Sequence, residues 1–263
     1  MERLRPAAVA GSFYPSQPER LRAMVRDFLA WAPAGARGGA PKAVIAPHAG
    51  YVYSGPVAGS AYARLGLGRE RITRVVLLGP SHRVAFAGLA VSGAEGFVTP
   101  LGVVPVDQEG ETGLLDLGPV RVVAAAHAYE HSLEVQLPFL QMVLGPFALV
   151  PLVVGDASPD TVAAVLDRLW GGPETAVVVS SDLSHYLPPG AARALDQATS
   201  EAIRALRPED LGEDSACGRI PVQGLLLAAR RRGLKAEVLD LRNSGDTAGG
   251  EGPVVGYGAW AFA

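Results

Sequence analysis

The chain is punctuated by short runs of Val, Ile, Leu and Ala that end in polar turns containing Gly or Pro. Residues 42–46 run into Pro47-His48-Ala49-Gly50, and 74–78 into Gly79-Pro80-Ser81-His82. Residues 148–154 lead to Gly155-Asp156, and 175–179 to Ser180-Ser181-Asp182-Leu183-Ser184-His185. Runs without polar alternation are the mark of strands covered on both faces. Between them, 56–65, 158–169 and 189–206 carry helical patterns. Ser158-Pro159-Asp160 reads as an N-cap with proline at the first helical position.

Alternation of strands and helices predicts an α/β fold: a mixed, mainly parallel sheet flanked by helices. The Gly-rich stretch 88–106 breaks the rhythm and reads as a hairpin excursion, and 236–241 and 254–262 close the chain as two more strands. Residues 135–155 carry no charge and approach the length of a bilayer span. Pro138, Pro146, Pro151 and Gly145 interrupt them, so a helix, a turn and a buried strand are expected instead. No linker or fixed-period repeat divides the chain, which predicts one domain over 1–263.

Composition narrows the function classes. With 23 basic and 26 acidic residues the net charge is -3, which speaks against nucleic acid or a membrane surface as partner. The N-terminus, Met1-Glu2-Arg3-Leu4-Arg5-Pro6, precedes no long apolar region, so no signal peptide is read there. The one cysteine, Cys217, excludes an intramolecular disulfide framework and fits a reducing, cytoplasmic compartment.

Ligands of open α/β sheets gather beyond the carboxyl ends of the strands. Three of the five histidines, His48, His82 and His185, fall there, and neutral imidazole is a common ligand for transition metals. Tyr51 and Tyr53, after His48, either wall a pocket or edge the core. Asp182 either fixes the tautomer of a general acid/base His185, ligates a metal, or caps a helix. His127 and His131 are four apart, yet Ser132 looks like an N-cap with the helix starting only after His131. His131 is thus read as a pocket residue, partnered by Glu130, Glu134 or Gln136. Cys217 stands before an apolar helix and beside Arg219. That setting predicts a lowered thiol pKa and a thiolate ligand or nucleophile; the alternative is a small buried hydrophobe.

Several segments together resemble the Memo family, also called AmmeMemoRadiSam system protein B. They are Arg5-Pro6-Ala7-Ala8-Val9-Ala10-Gly11-Ser12-Phe13-Tyr14-Pro15, the Pro47-to-Gly55 motif and Gly79-Pro80-Ser81-His82. Further along come Glu130-His131-Ser132-Leu133-Glu134, Ser180-Ser181-Asp182-Leu183-Ser184-His185-Tyr186 and Cys217-Gly218-Arg219. The resemblance covers nearly the whole chain. It implies a fold like that of class III extradiol dioxygenases of the LigB type, and a metal set of two histidines and a cysteine, here His48, His82 and Cys217. Asp182 and His185 match further pocket residues, Phe13 stands where the family often has Trp, and Tyr14 shares that motif.

Thiolate in place of a hard carboxylate favours Fe(II), Cu or Zn over Mg or Ca. Two functions follow as expectations. One is an iron- or copper-dependent oxidoreductase, dioxygenase-like, with His185 as acid/base, Asp182 orienting it, and a small molecule or peptide in the pocket. The other is a non-catalytic accessory protein working beside AMMECR-like and radical SAM partners. A zinc hydrolase on the same ligands is a third.

Overall fold

The protein is described by a computed structural model, which covers residues 3–32 and 39–263. Met1 and Glu2, on which part of the N-terminal reading rests, lie outside the described residues. In chain order the elements begin with strand β1 (Leu4–Arg5), helix α1 (Pro18–Ala30), β2 (Ala43–Ala46) and α2 (Tyr51–Leu65). Then come β3 (Arg74–Pro80), β4 (Leu89–Val91), β5 (Gly96–Thr99), β6 (Gly102–Pro105), α3 (Gln108–Thr112), β7 (Val120–Val122) and α4 (Ala124–Ala128). The second half holds α5 (Leu137–Leu144), β8 (Ala148–Val154), α6 (Pro159–Leu169), β9 (Thr175–Ser180) and α7 (Pro189–Arg204). It closes with α8 (Arg219–Arg231), β10 (Ala236–Asn243), α9 (Ser244–Ala248) and β11 (Gly256–Phe262).

Eight strands form the main sheet in the order β10-β11-β2-β9-β3-β8-β4-β7. The run β2-β9-β3-β8 and the pair β4-β7 are parallel, while β10-β11, β11-β2 and β8-β4 are antiparallel. This is the mixed α/β architecture that the resemblance to the LigB type implies. The apolar runs lack polar alternation because both faces are buried. Val44, Val75, Leu77, Leu149 and Val178 point into one core with α1, α2 and α5. Their neighbours Ile45, Val76, Leu78, Val150 and Val179 point into the other, with α6 and α8.

Three features differ from the sequence reading. Helix α2 begins at Tyr51 rather than 56, so Pro56 lies within it; a proline there removes one backbone hydrogen bond but leaves the first turn intact. Helix α1 was not anticipated, although Leu21, Val25 and Phe28 are buried at helical spacing. The stretch 88–106 divides: β4 joins the main sheet, whereas β5 and β6 form a hairpin in a separate three-stranded sheet with β1. Gly102 at its tip has φ +120°, a conformation that side chains disfavour.

Residues 135–155 resolve into the end of a 3₁₀ turn, α5 and β8. Among the described residues no helix is long and apolar enough to cross a membrane. Ser158 caps α6 by accepting from the Thr161 amide, as its sequence context predicts.

Candidate metal centre

The parallel strands β2, β9 and β3 lie side by side, so the turns after them open at one end of the sheet. His48 sits two residues past β2 and His82 two residues past β3. A third imidazole, His131, arrives from the segment between α4 and α5. The ligand nitrogens of these three residues all lie within 4.8 Å of one another, with His48 buried and His82 exposed. The rings of His82 and His131 stack at 4.6 Å, and that of His48 stands edge-on to both at 5.2 and 5.4 Å.

The hydrogen bonds around the rings decide their tautomers. Ser180, at the end of β9, donates its single hydroxyl proton to the Ser132 carbonyl at 2.6 Å. Its Oγ can then only accept, from Gln136 Nε2 at 2.7 Å and from His48 Nδ1 at 2.8 Å. His48 therefore carries its proton on Nδ1 and presents a lone pair on Nε2. Burial, aided by the neighbouring His82 and His131, holds the His48 pKa well below its usual value, so the ring is neutral.

Glu130 does the same for His82 and lies beside His131. Its buried carboxylate lies 2.9 Å from His82 Nδ1 and 3.2 Å from His131 Nδ1. It also accepts the backbone amides of His82, His131 and Ser132. Burial alone would raise this carboxyl, but the His131 and His82 rings and these amides outweigh it and hold it well below the ordinary range. An ionised carboxylate only accepts, so His82 Nδ1 carries a proton and its Nε2 is free to ligate, whereas His131 Nδ1 lies beside the same carboxylate without a hydrogen bond to it. A carboxylate that fixes ring orientation behind metal-ligating imidazoles is a recurrent arrangement.

Cys217 reaches the cradle from the start of α8. Its Sγ lies 3.3 Å from His48 Nε2 and accepts the Asp182 amide at 3.3 Å. The expected lowering of its pKa is overturned. Burial pushes the thiol up to about 12, with the charge of Asp182 adding to it. Helix α8 starts only at Arg219, whose guanidinium turns to Gln223. A bound cation would reverse this balance, since a coordinated thiol is deprotonated.

The remaining expected residues have definite places. The Asp182 carboxylate accepts the His48 amide at 2.7 Å and the Ala49 amide at 3.3 Å, so it fixes the loop that carries His48. Burial raises its pKa. No hydrogen bond joins it to His185 among the described residues. His185 is exposed, and its Nδ1 donates to the Leu183 carbonyl at 2.8 Å, leaving Nε2 as an acceptor.

Phe13 packs on His131 at 4.8 Å between centroids. Tyr14 and Tyr51 are buried, with hydroxyls donating to Glu134 and to the Val135 carbonyl, while Tyr53 is exposed. His127 does not meet His131. Helix α4 ends at Ala128, and His127 Nε2 donates to the Ala90 carbonyl at 2.9 Å.

One supporting network escaped the sequence reading. Arg5 ion-pairs with the buried Glu134. It also donates to the His127 carbonyl at 3.0 Å and the Glu130 carbonyl at 2.6 Å. Glu134 further accepts the Ala8 and Val9 amides and the Tyr14 hydroxyl. The N-terminal segment is thus fastened to the segment that carries Glu130 and His131. The available signal was an arginine inside an otherwise apolar N-terminal motif.

Fold and site together define an α/β protein with a three-histidine group, at the carboxyl ends of its strands, that can hold a metal ion. The family model described as Memo-like protein matches residues 5–261. A MEMO1 family protein of Sulfolobus acidocaldarius is 36% identical, with 97% of each chain covered. One of Aeropyrum pernix is 39% identical over 98% of this chain and 99% of its own. The chain belongs to the Memo family. Among solved structures, the uncharacterized protein JW3007 of Escherichia coli K12 is similar in fold. The TM-score is 0.51 at 14% identity, covering 81% of this chain and 98% of that one.

Proposed function

We propose that this protein binds iron or copper, with zinc a third candidate, on His48, His82 and His131, with Cys217 as the sulfur donor beside them. The observation that carries the reading is the convergence of three imidazoles whose ligand atoms lie within 4.8 Å of one another, with the Ser180 and Glu130 hydrogen bonds fixing the tautomers of His48 and His82. Donors of mixed imidazole and thiol character suit first-row transition metals rather than Mg or Ca. Such an ion would supply redox chemistry or Lewis acidity. The protein's own contribution is orientation, by Asp182 at the His48 loop and Glu130 at the other two rings. His185, whose bond from Nδ1 to the Leu183 carbonyl leaves Nε2 as an acceptor, is the group to take or give a proton in an oxidoreductase, dioxygenase-like reaction. The ligand alongside is a small molecule or peptide.

A second reading, a non-catalytic metal-binding protein acting with AMMECR-like and radical SAM partners, is favoured by one feature. Asp182 binds the His48 loop rather than His185, so the expected acid/base pair is not assembled.

The test is metal analysis of anaerobically purified wild type and of the His48→Ala, His131→Ala and Cys217→Ser variants. Loss of iron or copper is expected in the His48 variant. Loss of a thiolate charge-transfer band from the cobalt-loaded protein is expected in Cys217→Ser. Unchanged occupancy in all three variants sinks the proposal. Oxygen consumption by the loaded protein with catechols separates the two readings.

A further inference from the structure

On the Nδ1 side of His48 runs a row of fully buried polar side chains: Ser180 at the end of β9, Gln136 in the 3₁₀ turn before α5, and Tyr62 in α2. Buried polar groups persist where their donors and acceptors are met. The Gln136 amide is met at every hand. Its Nε2 donates to the Pro47 carbonyl at 3.0 Å and to Ser180 Oγ at 2.7 Å, and its Oε1 accepts the Tyr62 hydroxyl at 2.7 Å. A carbonyl only accepts, so the nitrogen must face Pro47 and the amide cannot be turned over. The Tyr62 ring stacks on Phe139 at 5.0 Å between centroids, which steadies the outer end of the row.

The peptide group between Pro47 and His48 is therefore gripped at both of its polar atoms by buried side chains. Gln136 takes its carbonyl oxygen, and Asp182 accepts its N–H at 2.7 Å. Ser180 accepts the Nδ1 proton of the His48 ring at 2.8 Å and is itself anchored by Gln136. With its peptide group and one ring nitrogen fixed, the imidazole has little freedom left about χ1 and χ2. The direction of Nε2 is set before any ligand arrives, and a donor already in place loses less entropy on binding.

We propose that Gln136 is a positioning residue of the metal centre, holding the Pro47–His48 peptide directly and the His48 ring through Ser180, so that the Nε2 lone pair is aimed in advance. The inference rests on the metal-binding reading above. Two donors and one acceptor are needed from one planar head, which glutamine supplies. An ionised glutamate has no donor, and methionine has none at any pH.

Co(II) is the probe, and the readout that a merely structural role would not move is the His48 ring in the metal-free protein. Full-length wild type labelled with ¹⁵N-histidine is expected to show a single His48 tautomer, protonated at Nδ1. The double variant Gln136→Met with Tyr62→Phe leaves no tyrosine hydroxyl orphaned. In it the two His48 nitrogen shifts are expected to move toward each other as tautomers mix, and the Co(II) dissociation constant to rise roughly 10-fold. His127, bonded to the Ala90 carbonyl, is the internal control, and its shifts should stay in place. Gln136→Glu, of nearly the same shape, carries the test with the same expectations where the double variant fails to fold. Unchanged His48 shifts in a folded variant overturn the proposal, as does an unchanged Co(II) affinity. Because the ring is read without metal, it decides the matter even where Co(II) fails to bind the wild type, a result that counts against the metal reading alone.

Discussion

Replacing Glu134 by glutamine tests whether the N-terminal segment is held by a buried charge network. Glu134 is fully buried, with Oε2 facing Arg5 and the Ala8 amide and Oε1 facing the Val9 amide and the Tyr14 hydroxyl. Every neighbour donates to the carboxylate, and only the Tyr14 hydroxyl could accept instead. Glutamine matches the shape, but its NH₂ meets the Arg5 guanidinium and the Ala8 amide in one orientation, and in the other the Val9 amide and the Tyr14 hydroxyl, which must turn to accept. The Arg5 guanidinium, 5% exposed, is left without its counter-charge.

Removing one member of a buried pair costs about 3–5 kcal/mol, far more than a surface pair. For a protein of this size that is roughly 6–20 °C in melting temperature, at about 2–4 °C per kcal/mol. Tyr14→Phe removes a single bond to the same carboxylate and is expected to cost only about 1.5–3 kcal/mol. The double replacement Arg5→Met with Glu134→Leu should recover most of the loss, since apolar side chains of similar volume leave no orphaned charge. Denaturant unfolding of the four proteins supplies the numbers. A Glu134→Gln variant within about 1 kcal/mol of wild type, against that pair cost, would refute the reasoning.

Further outcomes follow from the same contacts. Glu130→Gln, which loses the charge behind His82 and His131, is expected to weaken metal affinity about 10–100-fold while the fold persists, read by competitive metal titration. Gly59→Ala is expected to destabilise by about 1–3 kcal/mol, because an added Cβ would stand 2.5 Å from the Phe28 carbonyl oxygen; a thermal melt decides it. Burial raises the Asp196 carboxyl above its ordinary value. The folded state therefore holds that proton more tightly than the unfolded chain, and the stability it brings is present at low pH and lost as pH rises through the folded value. The unfolding free energy of wild type should thus rise relative to that of Asp196→Asn as pH falls from neutral toward the carboxylate range. A constant gap would count against it.

The strands were legible in the sequence because a segment covered on both faces must be apolar at every position, a constraint that acts locally. The same holds for the Ser158 cap, the helix that follows Cys217, and the placing of His48 and His82 at strand ends.

Other features depended on contacts between distant parts of the chain. No local pattern says that β5 and β6 leave the main sheet, or that β11 lies antiparallel to β2. His127 and His131 are four apart, a spacing that on one helix would pair them. Because α4 stops at Ala128, packing sends His131 to His48 and His82 and turns His127 to Ala90. Cys217 shows the limit most plainly. Its neighbours in sequence, a helix start and an arginine, predict a low pKa, whereas its neighbours in space, a buried wall and Asp182, impose a high one. Ionisation and ligand geometry follow from dielectric and distance in three dimensions. The sequence determined which residues would stand at the strand ends, and only tertiary packing decided which of them meet and in what protonation state.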